Sequence, residues 1–164
     1  MAVFTPEEQS RFEEELGLVL ARFPEDQKGA ALLEAFHIVQ DILGWVPDKA
    51  VELVARELGL PLVRAYEVRS FYTMFHLEKP GGHVLEVCTN VSCACRGAQE
   101  IVDRVCERFG LAPGETSADG RVTLKTVECL GSCGTAPMLA HNGEYVEEVD
   151  EAALENLIKE IEGD

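Results

Sequence analysis

The sequence predicts an α+β protein in which a helical bundle precedes an α/β domain. Three observations lead to this prediction. Apolar residues recur at helical spacing in the first half, strand-like alternation begins only after Pro80-Gly81-Gly82, and every cysteine lies at position 88 or later. We therefore expect two domains, residues 1–80 and residues 81–164.

The first helix is expected to begin directly after Thr5. Thr5 can cap it, Pro6 suits the first helical position, and Glu8 completes a capping box. Pro24 ends the run. One face of this helix carries five apolar residues: Phe12, Leu16, Val19, Leu20 and Phe23.

Three further helices with short connections complete the expected bundle. Gly44 suits the C-terminal end of the second helix, Asp48 can cap the third, Gly59 closes it, and Pro61 can open the fourth. Short connections between helices are typical of a small bundle. The expected helices cover residues 29–43, 48–58 and 61–71.

The second half reads as strand, helix, strand, hairpin and helix. Asn142-Gly143 is a strong hairpin signal between a short strand over Pro137–Ala140 and a returning strand over Glu144–Val149. Gly110 can end the first helix of this half, and Asp150 can cap the last one. The other expected elements are a strand at residues 83–87, a helix at 94–109 and a strand at 122–127.

Composition and charge exclude several functions. The 164 residues are 46 % hydrophobic, which is enough for a buried core, and 14 basic against 30 acidic residues give a net charge of −16. Such a charge repels nucleic acid and anionic membrane surfaces. No apolar run approaches the roughly 20 residues of a membrane helix, and no signal peptide is visible at the start. We expect a cytoplasmic protein without direct membrane insertion.

Two cysteine pairs are the main candidates for a functional site. Cys88 and Cys93 form a C-x4-C pair, Cys129 and Cys133 form a C-x3-C pair, and each pair follows a predicted strand. If these strands are neighbours, the four thiolates converge at one edge of the sheet. In a reducing compartment, clustered cysteines are more often metal ligands or redox groups than structural disulfides.

Thiolates are soft ligands that suit iron–sulfur clusters, zinc and copper(I). A 2Fe–2S cluster takes four cysteinates and leaves a net negative site. Backbone N–H groups near Gly131 and Gly134, the start of the helix after Cys93, and Arg96 are expected to offset that charge. Zinc remains an alternative because both spacings lie in its loose range. The plant-type ferredoxin pattern C-x4-C-x2-C requires a cysteine at position 96, where this chain has arginine. No C-x-x-C occurs, which argues against a thioredoxin-type dithiol.

The other candidates carry weaker signals. Cys106 is expected in the core. Cys95 lies two residues after Cys93 and could replace it as a metal ligand, but we expect Cys95 to face away from the site. The simplest alternative to a metal site is that all six cysteines are small buried hydrophobic residues. Each of the four histidines is expected at the surface or in the core and not as a metal ligand, and the acidic pair Glu147-Glu148 is expected on a solvated face. Ser70–Phe75 predicts either core packing between the two halves or a surface docked on a partner.

Several motifs resemble one family across nearly the whole chain. Cys88-Thr-Asn-Val-Ser-Cys93 and Glu128-Cys-Leu-Gly-Ser-Cys133-Gly-Thr-Ala-Pro-Met138 resemble the 24-kDa-type subunit (NuoE) of NADH:quinone oxidoreductase, respiratory complex I. Ser70–Phe75 and Pro113-Gly-Glu-Thr116 are similar to that family as well. The combination of the two cysteine motifs is specific, whereas the helical half alone is not.

The resemblance implies a thioredoxin-like ferredoxin domain after the bundle, and one 2Fe–2S cluster on Cys88, Cys93, Cys129 and Cys133. It implies an electron-transfer subunit of a NADH dehydrogenase without a catalytic or substrate site of its own. The implied partners are the 51-kDa-type flavoprotein subunit, which holds FMN and oxidises NADH, and a further iron–sulfur subunit. Such a complex is peripheral to the inner membrane and passes electrons toward quinone.

Three other functions stay open at this stage. The same module occurs as the small diaphorase subunit of NAD-linked hydrogenases, formate dehydrogenases and electron-bifurcating complexes. A zinc-stabilised interaction module is the alternative from another class. A free-standing ferredoxin that diffuses between partners is disfavoured, because such a carrier needs only the second half of the chain.

Overall fold

The computed structural model describes residues 3–163, and the chain divides into two compact units, Met1–Lys79 and Pro80–Asp164. The described part contains seven α-helices and one four-stranded sheet, which confirms the α+β expectation. Met1, Ala2 and Asp164 lie outside the described residues. The outer ends of the two expected domains fall on these residues, as does the start of the segment in which a signal peptide would lie.

Helices are the only regular secondary structure among the described residues of the first unit. They are α1 (Pro6–Leu20), a 3₁₀ helix (Glu25–Ala31), α2 (Leu32–Leu43), α3 (Asp48–Glu57) and α4 (Leu62–Phe71). Helix α1 packs on α2, α2 packs on α3, and α3 packs on α4 around a buried apolar core that includes Phe12, Phe36 and Val54. Phe4 stacks on Phe12 with ring centroids 5.1 Å apart, which closes the core beside α1.

Local capping rules explain most helix ends in this unit. The Thr5 hydroxyl accepts from the Glu8 N–H at 3.3 Å, and the Glu8 carboxylate accepts from the Thr5 N–H at 2.8 Å, which confirms the capping box. Gly44 ends α2 at φ +79° as expected. Asp48 does not cap α3: it is the first residue of that helix, and its carboxylate pairs with Arg69 at 2.8 Å.

Two further expectations for the first unit are corrected. The second helix is α-helical only from Leu32, because residues 25–31 form the tighter 3₁₀ helix. The aromatic segment Ser70–Phe75 is not uniformly core. Phe75 is buried and packs edge-on against Phe36 at 5.5 Å, whereas Phe71 is 77 % exposed and Met74 is 40 % exposed.

The second unit places helices on a mixed four-stranded sheet. Its elements are β1 (His83–Cys88), α5 (Val91–Cys95), α6 (Ala98–Phe109), β2 (Val122–Val127), β3 (Leu139–His141), β4 (Glu144–Val146) and α7 (Glu151–Gly163). The strand order is β2-β1-β3-β4; β1 and β2 are parallel, and β3 pairs antiparallel with both β1 and β4. Side chains of the sheet, α6 and α7 share one apolar core that includes Leu85, Val105, Leu124 and Ile158.

The expected helix over residues 94–109 is in fact two helices. Helix α5 already begins at Val91, and the chain breaks at Gly97, whose φ of +93° lies in a region that L-residues rarely adopt. The hairpin strands are shorter than expected, but Asn142 and Gly143 both have positive φ, as the turn requires. The Asp150 carboxylate accepts from the N–H of Ala153 at 2.8 Å and caps α7.

Candidate metal centre

Two cysteine loops leave the sheet side by side. The first cysteine loop is residues 88–93, and the second cysteine loop is residues 129–133. Cys88 ends β1 and is paired with Val127, which ends the parallel neighbour β2. Because parallel strands end at the same edge of a sheet, both loops start at that edge, as the sequence predicts for neighbouring strands.

Asn90 holds the first cysteine loop. Its side-chain oxygen accepts from the N–H of Val91 at 2.8 Å and caps α5, and its amide nitrogen donates to the carbonyl of Glu128 at 2.6 Å. The second bond ties the first loop to the chain just before Cys129. Cys93 is the third residue of α5, so the helix carries this thiol inward, where it is buried.

Cys88 and Cys93 are buried and hydrogen-bonded to each other. Burial alone would raise the pKa of Cys88, but the backbone N–H groups of Asn90 and Leu130 and the Cys93 thiol donate to its sulfur and lower the pKa overall. Burial raises the pKa of Cys93, its bond to Cys88 adds to this, and the N–H of Met138 opposes it in part. The backbone N–H groups that reach these two sulfurs favour a thiolate within the pair.

The second cysteine loop is exposed. Cys129 and Cys133 both lie at the surface, in contrast to Cys93. The N–H of Gly131 donates to the Cys129 sulfur at 3.3 Å, and Gly131 has a φ of +84°. The glycine therefore permits the turn that directs this N–H to the sulfur, which agrees with its expected role.

Two side chains beyond β3 fasten the second cysteine loop, and the sequence pattern did not reveal them. The Tyr145 hydroxyl donates to the carbonyl of Leu130 at 2.9 Å. The Glu147 carboxylate accepts from the hydroxyls of Ser132 and Thr135, the latter at 2.6 Å, and these bonds lower the pKa of Glu147. Glu147 is exposed, as expected for an acid on a solvated face, but its contacts with the second cysteine loop were not expected. The only sequence signal was the Asn142-Gly143 turn, which returns the chain toward this loop.

The helix-dipole expectation also needs correction. Cys93 lies within α5 and not before it, and Arg96 follows the last residue of α5 and does not lie in a first helical turn. Cys95 is exposed while Cys93 is buried, so the two thiols face different surroundings. A surface cleft of about 420 Å³ adjoins both loops, and its lining includes Val91, Cys95, Arg96, Cys133 and Glu148.

The other sequence candidates lie away from this edge. Cys106 on α6 is half-buried and packs against the core of the second unit, and burial raises its pKa. Its core role is in line with the expectation, although it is not fully buried. His83 and His141 meet at the opposite end of β1, where Nδ1 of the first and Nε2 of the second are 3.0 Å apart. Sequence spacing did not predict that pair.

The four loop cysteines fit an iron–sulfur cluster by the chemistry of the donor set. Backbone N–H groups reach the sulfurs of Cys88, Cys93 and Cys129, and Cys133 lies close enough to Cys93 for their charges to interact. Within residues 3–163, the structure gathers no group of three or more His, Cys, Asp or Glu side chains that could hold a metal ion, so the expected convergence of all four thiols is not observed. A 2Fe–2S cluster takes a pair of ligands at each iron, and the two loops offer two pairs.

Comparison with known proteins supports the same reading of the motifs. The family described as thioredoxin-like 2Fe-2S ferredoxin matches residues 18–162. The E subunit of the NADH-quinone oxidoreductase of Rickettsia felis is 37 % identical over 148 residues, which are 89 % of this chain and 88 % of that protein. The chain belongs to this family of E subunits. The fold expected from the resemblance, helices followed by a thioredoxin-like domain, is confirmed.

Two further similar proteins are longer than this chain. NADH dehydrogenase (ubiquinone) flavoprotein 2 of Dictyostelium discoideum is 38 % identical over 144 residues, which are 87 % of this chain and 58 % of that protein. The crystal structure of a NAD⁺-reducing NiFe hydrogenase in the H₂-reduced state superposes with a TM-score of 0.73 at 25 % identity. The match covers 81 % of this chain and 22 % of the hydrogenase chain.

The relatives are subunits of oxidoreductase complexes by name, and the family is one of iron–sulfur proteins. Partner subunits are therefore implied for this chain. Over the part of the chain that the structure describes, none of the helices combines the length and apolar character needed to cross a membrane.

Proposed function

We propose that this chain is the electron-transfer subunit of a NADH dehydrogenase of the NADH:quinone oxidoreductase type. It holds one 2Fe–2S cluster on Cys88, Cys93, Cys129 and Cys133 and has no catalytic residue or substrate site of its own. It docks on the subunit that binds FMN and NADH, together with a further iron–sulfur subunit. The complex is cytoplasmic and peripheral to the inner membrane.

The observation that carries the proposal is the pairing of the two cysteine loops at one sheet edge. Cys88 ends β1 beside the end of β2, the Leu130 N–H of the second loop donates to the Cys88 sulfur, and Asn90 of the first loop donates to the carbonyl of Glu128. These contacts bind the loops to each other in both directions. Two thiol pairs held together in this way suit four-cysteine ligation.

Each loop has a distinct task in the proposed site. The first loop buries its thiols, and the N–H groups of Asn90 in this loop and Leu130 in the second loop donate to the Cys88 sulfur, which favours the thiolate that a metal requires. The second loop keeps Cys129 and Cys133 at the surface, where a partner subunit can approach. When bound, a 2Fe–2S cluster accepts and releases single electrons, which complements a flavin that takes two electrons from a hydride.

A second candidate function has a specific observation in its favour. The superposition on the NAD⁺-reducing hydrogenase covers most of this chain at a TM-score of 0.73. The same chain would then be the small diaphorase subunit of a hydrogenase or a related NAD-linked complex. The cysteine site and its chemistry are the same in both candidates, so the partner subunits distinguish them.

Metal and sulfide analysis of the anaerobically purified full chain tests the cofactor. We expect two irons and two acid-labile sulfides per chain, and an EPR signal of spin one-half after reduction with dithionite. One zinc per chain without sulfide or signal would contradict the proposal and support the zinc-stabilised module.

Co-purification from the native cells tests the partner. A tagged chain is expected to retain an FMN-containing subunit with NADH-oxidising activity and to be recovered with membrane-bound quinone reductase. Recovery with hydrogenase subunits and hydrogen-dependent NAD⁺ reduction would support the second candidate instead.

A further inference from the structure

Glu147 brackets the second cysteine loop from outside it. Its carboxylate accepts from the hydroxyl of Ser132, the residue before Cys133, and from the hydroxyl of Thr135, two residues after Cys133. The two hydroxyls also lie 2.8 Å from each other, and the N–H of Glu148 donates to the Thr135 carbonyl at 2.8 Å. Cys133 therefore lies in the chain between two residues whose hydroxyls both donate to the Glu147 carboxylate.

Tyr145 holds the same loop without a charge. Its hydroxyl donates to the carbonyl of Leu130 at 2.9 Å, and the N–H of Leu130 donates to the sulfur of Cys88. Tyr145 and Glu147 lie on one stretch of chain, in β4 and just after it. That stretch therefore fastens the loop on both sides of Gly131, once through a neutral group and once through a carboxylate.

The carboxylate of Glu147 is a fixed negative charge beside this loop. Two hydroxyl donors hold it and favour its ionised form. A 2Fe–2S cluster gains a negative charge when it is reduced, so a nearby carboxylate would disfavour the reduced form relative to the oxidised form. Hydrogen bonds and charges around a cluster are among the features that set its reduction potential.

We propose that Glu147 is a positioning residue for the second cysteine loop and lowers the reduction potential of the 2Fe–2S cluster held there. This inference rests on the proposed function. Tyr145 holds the same loop without adding a charge. The two residues therefore separate the effect of holding the loop from the effect of charge.

Redox titration of the reconstituted full chain, followed by EPR, tests this proposal. Glu147→Gln removes the charge but keeps an oxygen that can accept from both hydroxyls. We expect the ratio of reduced to oxidised cluster, at the potential where the wild type is half reduced, to rise at least twofold, with an unchanged spectrum. Glu144→Gln is the matched control, since it removes another exposed acid, at the turn end of β4, and should leave the ratio unchanged.

Cluster loss to a chelator separates the positioning role from the charge. Glu147→Ala removes both hydroxyl contacts and is expected to shift the ratio as Glu147→Gln does and also to lose the cluster several times faster than the wild type. Tyr145→Phe is expected to accelerate loss with a smaller change in the ratio than Glu147→Gln causes, since it removes a contact but no charge.

Two outcomes contradict the inference in different ways. A Glu147→Gln ratio equal to that of Glu144→Gln overturns it alone, because the wild-type cluster is then present but insensitive to this charge. A wild-type chain that binds no iron and sulfide overturns the proposed function and the inference together.

Discussion

The two cysteine loops have similar spacing but are held in different ways. In the first loop, Cys88 and Cys93 are buried and bonded to each other, and Asn90 within the loop supplies the cap of α5. In the second loop, Cys129 and Cys133 are exposed, and the fastening side chains come from outside the loop. The first loop is held by the Asn90 cap together with bonds to the end of β2 and to Glu128, and the second by side chains of β4 and the residue after it.

This difference matches the two tasks that we propose for the site. Burial of one thiol pair protects the sulfurs from water, while exposure of the other leaves a face open to a partner subunit. In the exposed loop Leu130 packs against the core of the second unit, and hydrogen bonds from Tyr145 and Glu147 add to that packing. The following substitutions test how far the two loops differ.

The largest expected effect is loss of the cluster from a ligand substitution in the exposed loop. Cys129→Ala leaves three of the four proposed cysteinates, so we expect the chain to lose its full complement of iron and sulfide. Cys106→Ala is the control, and we expect it to keep the cluster at a packing cost of about 1 kcal/mol, since one half-buried sulfur is removed. Metal and sulfide content measures both, and equal loss in the two variants would contradict the proposed ligand set.

The next effect concerns the backbone of the second loop. Gly131→Ala forces an L-residue into a φ of +84° and is expected to lower the free energy of unfolding by about 1–2 kcal/mol. A Cβ at either Gly131 or Gly134 meets no atom within 4 Å, and Gly134 has no positive φ, so Gly134→Ala is the matched control and should change stability little. Urea denaturation of both variants checks this, and equal destabilisation would mean that the left-handed turn is not the cause.

A smaller loss of stability is expected from a substitution in the first loop. Asn90→Ala removes the cap of α5 and the bond to the Glu128 carbonyl, which should cost about 1 kcal/mol and speed loss of the cluster to a chelator. Asp150→Ala removes the cap of α7, away from both loops, and should cost a similar amount of stability without faster cluster loss. Identical loss rates in the two variants would count against a local role for Asn90.

The smallest effect is expected at Cys95. This thiol is exposed on α5 beside buried Cys93, so Cys95→Ser should leave iron content, sulfide content and the EPR spectrum as in the wild type. The measurement is the same analysis that tests Cys129→Ala. A changed spectrum would assign a ligand role to Cys95 and would break the division between the two loops.

Rules that act over a few residues predicted the local structure well. The capping box of Thr5 and Glu8, the end of α2 at Gly44, the turn at Asn142-Gly143 and the cap at Asp150 all agree with the structure. Each depends on bonds between near neighbours in the chain. Sequence rules failed where a local option competed with a distant partner, as at Asp48, which pairs with Arg69 and does not cap a helix.

The site was only partly predictable for the same reason. The spacing of the cysteines and their position after two strands were visible in the sequence, but the break at Gly97 and the early start of α5 at Val91 moved Cys93 into a helix. Tyr145 and Glu147 carry no motif. Their contacts with Leu130, Ser132 and Thr135 arise because the hairpin folds its returning strand toward the second loop.

The sequence by itself determined the helical first half, the α/β second half, the two cysteine pairs and the family to which the chain belongs, because periodicity, caps and motif spacing are local properties. Only the tertiary structure decided that β1 and β2 are parallel neighbours, that one thiol pair is buried and the other exposed, and that Glu147 binds the second loop. Strand adjacency and hydrogen bonds between distant segments depend on how the whole unit packs, which no short stretch of sequence encodes.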